Sequence, residues 1–365
     1  MRLSFAAAAV LVLFLAACSG KPDSAGRETV PAQPDSSGTR DGPAVDASAD
    51  LNDGEKIRVL AADLQAPWSI ARHGDTFYVS ERAGTIAEIT AGEVRRMAVN
   101  LSSPLSGAAE AGLMGFVLKP DFPESGEAFA FYTYDGVSGP ASRIVTLRRD
   151  NEAWTETEIH LDRVPSGRVH HGGRLAFSPD GALFATIGDR MAPDTAQDPD
   201  SPNGKIVRME PGGTFRIHSL GHRNPQGLAW TDDGTMYATE HGQNAHDELN
   251  RIVEGRNYGW PLIEGTEQRE GYETPIATSG PDETWAPSGL AYHDGALYAG
   301  ALRGEALLVF DPATGKLVRS IGGYGRIRDV YADGASVFFI TNNTDGRGNP
   351  RKGDDRLIEL VNAGK

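Results

Sequence analysis

The chain has 365 residues and a formal net charge of −15, which argues against non-specific nucleic-acid binding, since phosphates call for a basic face. Its 44 glycines and 22 prolines, set among many short apolar runs, point to an all-β chain rather than a helical one. A single cysteine, Cys18, excludes an intramolecular disulfide and a cysteine-based zinc cluster.

The N-terminus opens with Met1-Arg2 and an apolar run from Leu3 to Ala17. The run is too short for a comfortable membrane span and fits a secretory signal peptide. Leu15-Ala16-Ala17-Cys18 resembles the bacterial lipoprotein box, so Cys18 is expected to carry a lipid and become the new N-terminus. Ser19 follows, as in outer-membrane sorting. The expectation is a periplasmic protein touching the membrane only through that lipid. Residues 18–55 are rich in Ser, Pro, Asp, Gly and Ala and lack the apolar residues needed to fold, so they read as a flexible tether. The folded, catalytic region is expected over 56–362.

A single pattern recurs within that region: a turn residue, an apolar strand, a tight turn, a second strand, a gap and a third strand. It runs from Pro67 to Ile89, Gly112 to Leu147, Gly173 to Met209, Pro225 to Ile252, Pro287 to Phe310 and Ile327 to Leu360. Six copies at a spacing of roughly 50 residues predict a six-bladed β-propeller. The second copy has diverged most. In such a fold, loops at the ends of the inner strands build the site.

The stretch from Val169 to Arg190, VHHGGRLAFSPDGALFATIGDR, is two strands around a Pro-Asp-Gly turn. A hairpin returns its end to its start, bringing His170 or His171 near Asp189. A base oriented by a carboxylate is a common catalytic pairing, although a blade hairpin with polar ends explains the same residues. Downstream, Arg223 and Asn224 in GHRNPQGL can hold an anionic or carbonyl oxygen. Glu240, Asp247, Glu248, Asn250 and Tyr258 cluster among glycines, offering hard oxygen ligands suited to Ca²⁺ in a spacing unlike an EF-hand. A solvated acidic loop is the alternative. Arg326 and Arg328 share a face if extended, and two adjacent guanidiniums need an anion or counter-charges such as Asp329. Arg303, at a strand end, and Glu110 complete the candidates. Together they describe a pocket for a multiply anionic cofactor or substrate.

The segments PWSIA, EAGLMGF, HHGGRLAFSPDG, GHRNPQGLAW, EHG with DELN, NYGWP and RIRDV occur in one order. They resemble the pyrroloquinoline-quinone (PQQ)-dependent aldose sugar dehydrogenases, relatives of soluble quinoprotein glucose dehydrogenase, over about Lys56 to Leu360. The resemblance implies a six-bladed propeller with His170 as base and Asp189 orienting it. It sets Arg223 and Asn224 at the quinone carbonyls, and Arg303, Arg326 and Arg328 at cofactor oxygens. Glu110 and Gln197 fall at pocket positions. Gly242 and Gln243 would lend backbone carbonyls to Ca²⁺, and Glu248 and Tyr258 match a second, structural calcium site. Three positions depart from the soluble glucose enzymes: Val169 replaces an acidic residue, Gln243 a proline and Glu110 a glutamine. They favour the aldose branch and put a preference for glucose in doubt.

The implied reaction oxidises the anomeric carbon of an aldose to a lactone by hydride transfer to PQQ, with the electron acceptor left open. A calcium-dependent lactonase on the same fold would need a metal and a base but no arginine set. A non-enzymatic propeller binding glycans or partners would need none of these features.

Overall fold

The computed structural model describes residues 55–363. Cys18, the apolar run before it and nearly all of the tether lie outside them. Among the described residues the fold is carried by strands, with helix limited to Phe122–Ser125 and a 3-10 turn at Pro193–Ala196. The strands form where β-branched and aromatic residues accumulate between turns, as in Thr76–Glu81 (TFYVSE) and Ser336–Thr341 (SVFFIT). The turns joining first to second strands use glycine in the left-handed region, as at Gly181 (φ +84°) and Gly234 (φ +82°), a conformation that costs other residues.

The strands of the described residues make five hydrogen-bonded sheets, four of four strands and one of eight. One sheet runs Gly172–Phe177, Leu183–Ile187, Lys205–Met209 and Phe215–Leu220 in simple antiparallel order. Two others have the same order, beginning at Pro225–Trp230 and Pro287–His293. The fourth is completed from the far end of the chain. Lys56–Ala61 pairs antiparallel with Leu357–Val361, from Lys56 opposite Val361 to Ala61 opposite Leu357.

The eight-stranded sheet departs from the expected separate units. It holds two consecutive antiparallel meanders, one starting at Pro67–His73 and one at Leu113–Leu118. Their outer strands, Glu93–Asn100 and Ala153–Pro165, pair in parallel at Ala98–Ala153 and Asn100–Thr155. The 13-residue outer strand Ala153–Pro165 is the longest among the described residues and follows directly on the most diverged copy. Its Trp154 is fully buried in one cluster with Tyr78 of the first meander and Phe116 of the second. A shared aromatic core thus draws the two outer strands together.

The first strands of the meanders pack side by side in chain order, and Ile327–Asp333 returns against Pro67–His73. The result is an all-β, propeller-like ring. Its antiparallel pairing also positions the site. In each hairpin the start of the first strand faces the end of the second, as with Gly172 opposite Ile187, Pro225 opposite Glu240 and Ile327 opposite Thr341. Residues just before an inner strand therefore meet residues just after its neighbour, at one mouth of the ring.

Candidate active site

His170 precedes the strand Gly172–Phe177, and Asp189 follows Leu183–Ile187. Their contact is the first product of that rule: His170 Nδ1 lies 2.8 Å from Asp189 Oδ1. The approach needs Gly188, where an added Cβ would fall 2.0 Å from the His170 carbonyl oxygen. Asp189 is nearly inaccessible and fully engaged. Its Oδ1 also accepts from Met191 N, and its Oδ2 accepts from the Trp260 indole, each at 2.8 Å. Pinned on both oxygens, the carboxylate fixes the ring it holds.

The next hairpin supplies Arg223 and Asn224. The Arg223 carbonyl accepts from Asp189 N at 2.8 Å, so the two loops are stitched together. Its guanidinium lies 5.5 Å from the Trp260 ring centre and donates to the His241 carbonyl at 3.3 Å. Burial lowers its pKa, opposed by nearby carboxylates led by Asp189. Asn224 accepts from Gly172 N at 3.0 Å, which leaves its NH₂ as a donor. His170, Asp189, Arg223, Gln243 and Trp260 line one cavity of about 450 Å³, a volume suited to a small organic ligand.

A second, tighter cavity is lined by Arg82, Glu110, His171, His241, Arg328 and Arg347, among others. Arg328 is buried; it donates to Gln226 Oε1 at 2.9 Å, and among the described residues its Nε has no partner. Burial brings its pKa down to about 9. Arg326 pairs with Asp345 at 3.0 Å, and Arg328 lies 3.8 Å from the same carboxylate. Asp345, and not Asp329, is therefore the counter-charge; Asp329 pairs with Arg174 at 2.9 Å. Among the described residues, the buried Nε2 atoms of His171 and His241 are also unpartnered. Burial pushes both imidazoles down to about 4, so they are neutral near pH 7. Three guanidiniums, of Arg82, Arg328 and Arg347, line this cavity with Glu110 and Asp345, and together with the buried ring nitrogens of His171 and His241 they form a donor set that fits an acidic, carbonyl-bearing cofactor such as PQQ.

The acidic segment divides into two roles. Asp247 accepts from Gly242 N at 3.0 Å on one oxygen, and from Thr284 Oγ1, Trp285 N and Ala286 N at 2.7, 2.6 and 2.8 Å on the other. It buckles the loop carrying Gly242 and Gln243. Glu240 holds His222 at 2.8 Å and the Arg223 N–H. Burial, with Glu240 and Glu264 nearby, pushes the Glu248 carboxyl well above its ordinary range. One Glu264 oxygen is buried without a partner among the described residues. Glu240, Glu248, Tyr258 and Glu264 line one small cavity, a crowd of carboxylates that a divalent cation would relieve. Among the described residues, however, no three or more His, Cys, Asp or Glu side chains are grouped to hold a metal ion. A calcium ion would have to draw on backbone carbonyls as well.

The remaining candidates differ in their contacts. Gln197 exchanges hydrogen bonds with Asn257 at 2.8 and 3.1 Å and donates to the Trp260 carbonyl at 2.6 Å; it braces Trp260 from behind. The Tyr258 hydroxyl donates to the Arg251 carbonyl at 2.7 Å and accepts from Val253 N at 2.8 Å, while its ring stacks on His222. Arg303 is exposed and, among the described residues, makes no hydrogen bond or ion pair through its guanidinium. Sequence reasoning missed Trp260, Asp345 and Arg347. The run NYGWP singles out the segment but not its indole, and nothing local in TNNTDGRGNP marks Asp345 as the partner of two arginines.

A β-ring with an oriented imidazole beside a guanidinium-lined pocket has the makings of an enzyme that pairs base chemistry with an anionic cofactor. The chain belongs to the glucose/sorbosone dehydrogenase family, whose sequence model matches residues 64–350. It is 30% identical to the aldose sugar dehydrogenase YliI of Escherichia coli K12, over 80% of this chain and 91% of that one. It is 32% identical to quinoprotein glucose dehydrogenase B of Acinetobacter calcoaceticus over a shorter stretch, 44% of this chain and 42% of that one. The structure of the PQQ-bound aldose sugar dehydrogenase of Streptomyces coelicolor superposes with a TM-score of 0.77 at 35% identity, covering 84% of this chain and 98% of that one.

Proposed function

We propose that this protein is a PQQ-dependent aldose sugar dehydrogenase that oxidises the anomeric carbon of aldoses to lactones. The observation that carries the reading is His170: its Nδ1 is fixed by the doubly pinned Asp189, and it lines the same cavity as Arg223. A neutral imidazole held this way can take the proton of a sugar hydroxyl at Nε2. Arg223 and the Asn224 NH₂ would stabilise charge developing on a carbonyl oxygen, and Arg326 and Arg328 would hold carboxylates. PQQ, when bound, supplies the two-electron acceptor, and Ca²⁺ supplies Lewis-acid polarisation. The carbonyls of Gly242 and Gln243 are the proposed ligands of that ion, with Glu248 and Tyr258 at a second calcium position. Glu110 and Gln197 are engaged by Arg347, the His170 N–H, Asn257 and the Trp260 carbonyl, whereas the exposed Arg303 guanidinium is proposed to meet a cofactor oxygen.

The same reading takes the fold as a six-bladed propeller. The two meanders of the eight-stranded sheet then count as two blades whose outer strands have met. The protein is further proposed to reside in the periplasm, held to the outer membrane by a lipid on Cys18. Labelling with a radioactive fatty acid tests that anchor, since Cys18→Ala would abolish incorporation.

Reconstitution tests the activity. Purified protein is given PQQ, Ca²⁺, a dye acceptor and a panel of aldoses. Dye reduction that requires PQQ and an aldose is expected. Hydrolysis of lactones without PQQ, and no dye reduction with it, would reject the reading. Near-wild-type turnover in reconstituted His170→Ala would reject His170 as the base.

A further inference from the structure

His170 has φ +61°, a left-handed conformation that costs a non-glycine residue about 1–3 kcal/mol unless its surroundings enforce it. Three contacts enforce it here. Its carbonyl accepts from Arg190 N at 3.2 Å. Its Nδ1 meets Asp189, and its N–H donates to Glu110 Oε2 at 3.0 Å. Arg190 and Asp189 belong to the same hairpin as His170. Glu110 comes from a different loop, 60 residues earlier, and its Oε1 is gripped at 2.5 Å by Arg347, 237 residues later. A relay from Arg347 through Glu110 to the His170 amide thus crosses the ring mouth.

The relay stays charged. Burial alone would raise the Glu110 carboxyl, but Arg347 and the His170 N–H outweigh it and hold it at about 2. The carboxylate is therefore an ionised acceptor at any working pH. Both of its oxygens are taken, one by the backbone of the base and one by Arg347.

We propose that Glu110, clamped by Arg347, is a positioning residue that holds the His170 backbone in its left-handed turn, rather than a contact of the cofactor. The inference rests on the reading of His170 as base. It explains why Glu110 borders the arginine-lined cavity and yet turns an oxygen to a backbone amide.

The test uses Glu110→Ala, Glu110→Gln, Arg347→Met and His170→Ala, each loaded with PQQ and Ca²⁺. PQQ affinity is read by fluorescence titration, sugar kinetics at saturating PQQ, and amide hydrogen exchange in the peptide spanning His170. Misplacing a catalytic group costs up to about 100-fold, so Glu110→Ala is expected to lower kcat by about 10- to 100-fold. Sugar KM and PQQ Kd should stay within about threefold, because no binding contact is removed. The His170 amide should exchange faster. Glu110→Gln keeps an acceptor oxygen and should recover most of the turnover, with Arg347→Met falling between. A PQQ Kd weakened by about tenfold, with kcat at saturation unchanged, would make Glu110 a cofactor contact and overturn the proposal. Unchanged turnover and exchange would also overturn it. Should Glu110→Ala lack a cooperative melt, Arg347→Met decides alone, and wild-type turnover and exchange there would reject the relay. Wild-type turnover in His170→Ala would instead reject the base, while the exchange result would still report on the relay.

Discussion

Trp260 Nε1 donates to Asp189 Oδ2 at 2.8 Å, on the oxygen opposite the one that His170 engages. The indole arrives from a segment 71 residues further along the chain. It also lends its face to Arg223, so one side chain touches both the orienting carboxylate and the nearest guanidinium.

Trp260→Phe removes the N–H but keeps a ring. Loss of one hydrogen bond to a charged group is worth about 1.5–3 kcal/mol. The expected outcome is a kcat lowered by about tenfold or more, with the sugar KM little changed. Steady-state kinetics of the reconstituted enzyme measures this, and a change confined to KM would speak against the indole as a brace of Asp189.

Asp189→Asn leaves the shape and removes the charge. The amide would present an NH₂ either to Met191 N and His170 Nδ1 or to the Trp260 indole, and in neither orientation would it carry the charge that stabilises a protonated His170 ring. General-base assistance contributes about 10²- to 10⁴-fold, and kcat should fall within that range while PQQ still binds. Full turnover in the PQQ-loaded variant would rule out an orienting role.

Asp247→Asn weakens the buckle on the Gly242 loop. Asp247 makes four hydrogen bonds, three of them to backbone N–H groups. Their disturbance should cost about 2–3 kcal/mol of stability. It should also raise the Ca²⁺ concentration needed for half-maximal reconstitution by about tenfold, since the carbonyls of Gly242 and Gln243 lose their setting. Calcium titration of PQQ-dependent dye reduction reads the effect, and chelation followed by re-addition of Ca²⁺ should abolish and restore activity in both proteins.

His171 predicts a pH dependence in the protein without cofactor. Burial brings its pKa from 6.5 to about 4, so as pH falls the unfolded chain takes the proton first. The native state is then favoured fully above about 6.5 and loses that advantage as pH falls toward 4, by on the order of 3 kcal/mol. His171→Gln removes the titrating group and should show a smaller drop in Tm between about pH 7 and about pH 4.5 than the parent protein. Equal drops in the two proteins would locate the acid sensitivity elsewhere.

The hairpins are legible in the sequence because their turn chemistry and apolar alternation are local. The meeting of His170 and Asp189 follows from hairpin geometry, and the structure brings them together at 2.8 Å. What stays hidden depends on distant segments choosing between partners. Arg326 and Arg328 can be recognised as a pair, but their carboxylate, Asp345, lies in a loop with no local signature. Gln197 is expected at a pocket position, yet the Asn257 amide and the Trp260 carbonyl capture its polar atoms. The joining of the first two meanders is equally unreadable, because it depends on where a 13-residue strand and its Trp154 come to rest.

The pairing of Lys56–Ala61 with Leu357–Val361 makes the ends of the described fold neighbours within one sheet. Topologically the polypeptide behaves like a loop cut at a strand boundary. During synthesis, the sheet begun by the last inner strand cannot be completed until Leu357–Val361 emerges and captures Lys56–Ala61, so an unpaired edge persists until then. The same adjacency permits the cut to be moved. Joining the ends with a short linker and opening the chain at the Gly212–Gly213 turn, where an added side chain would meet open space, should give a permuted protein with the same ring and the same mouth.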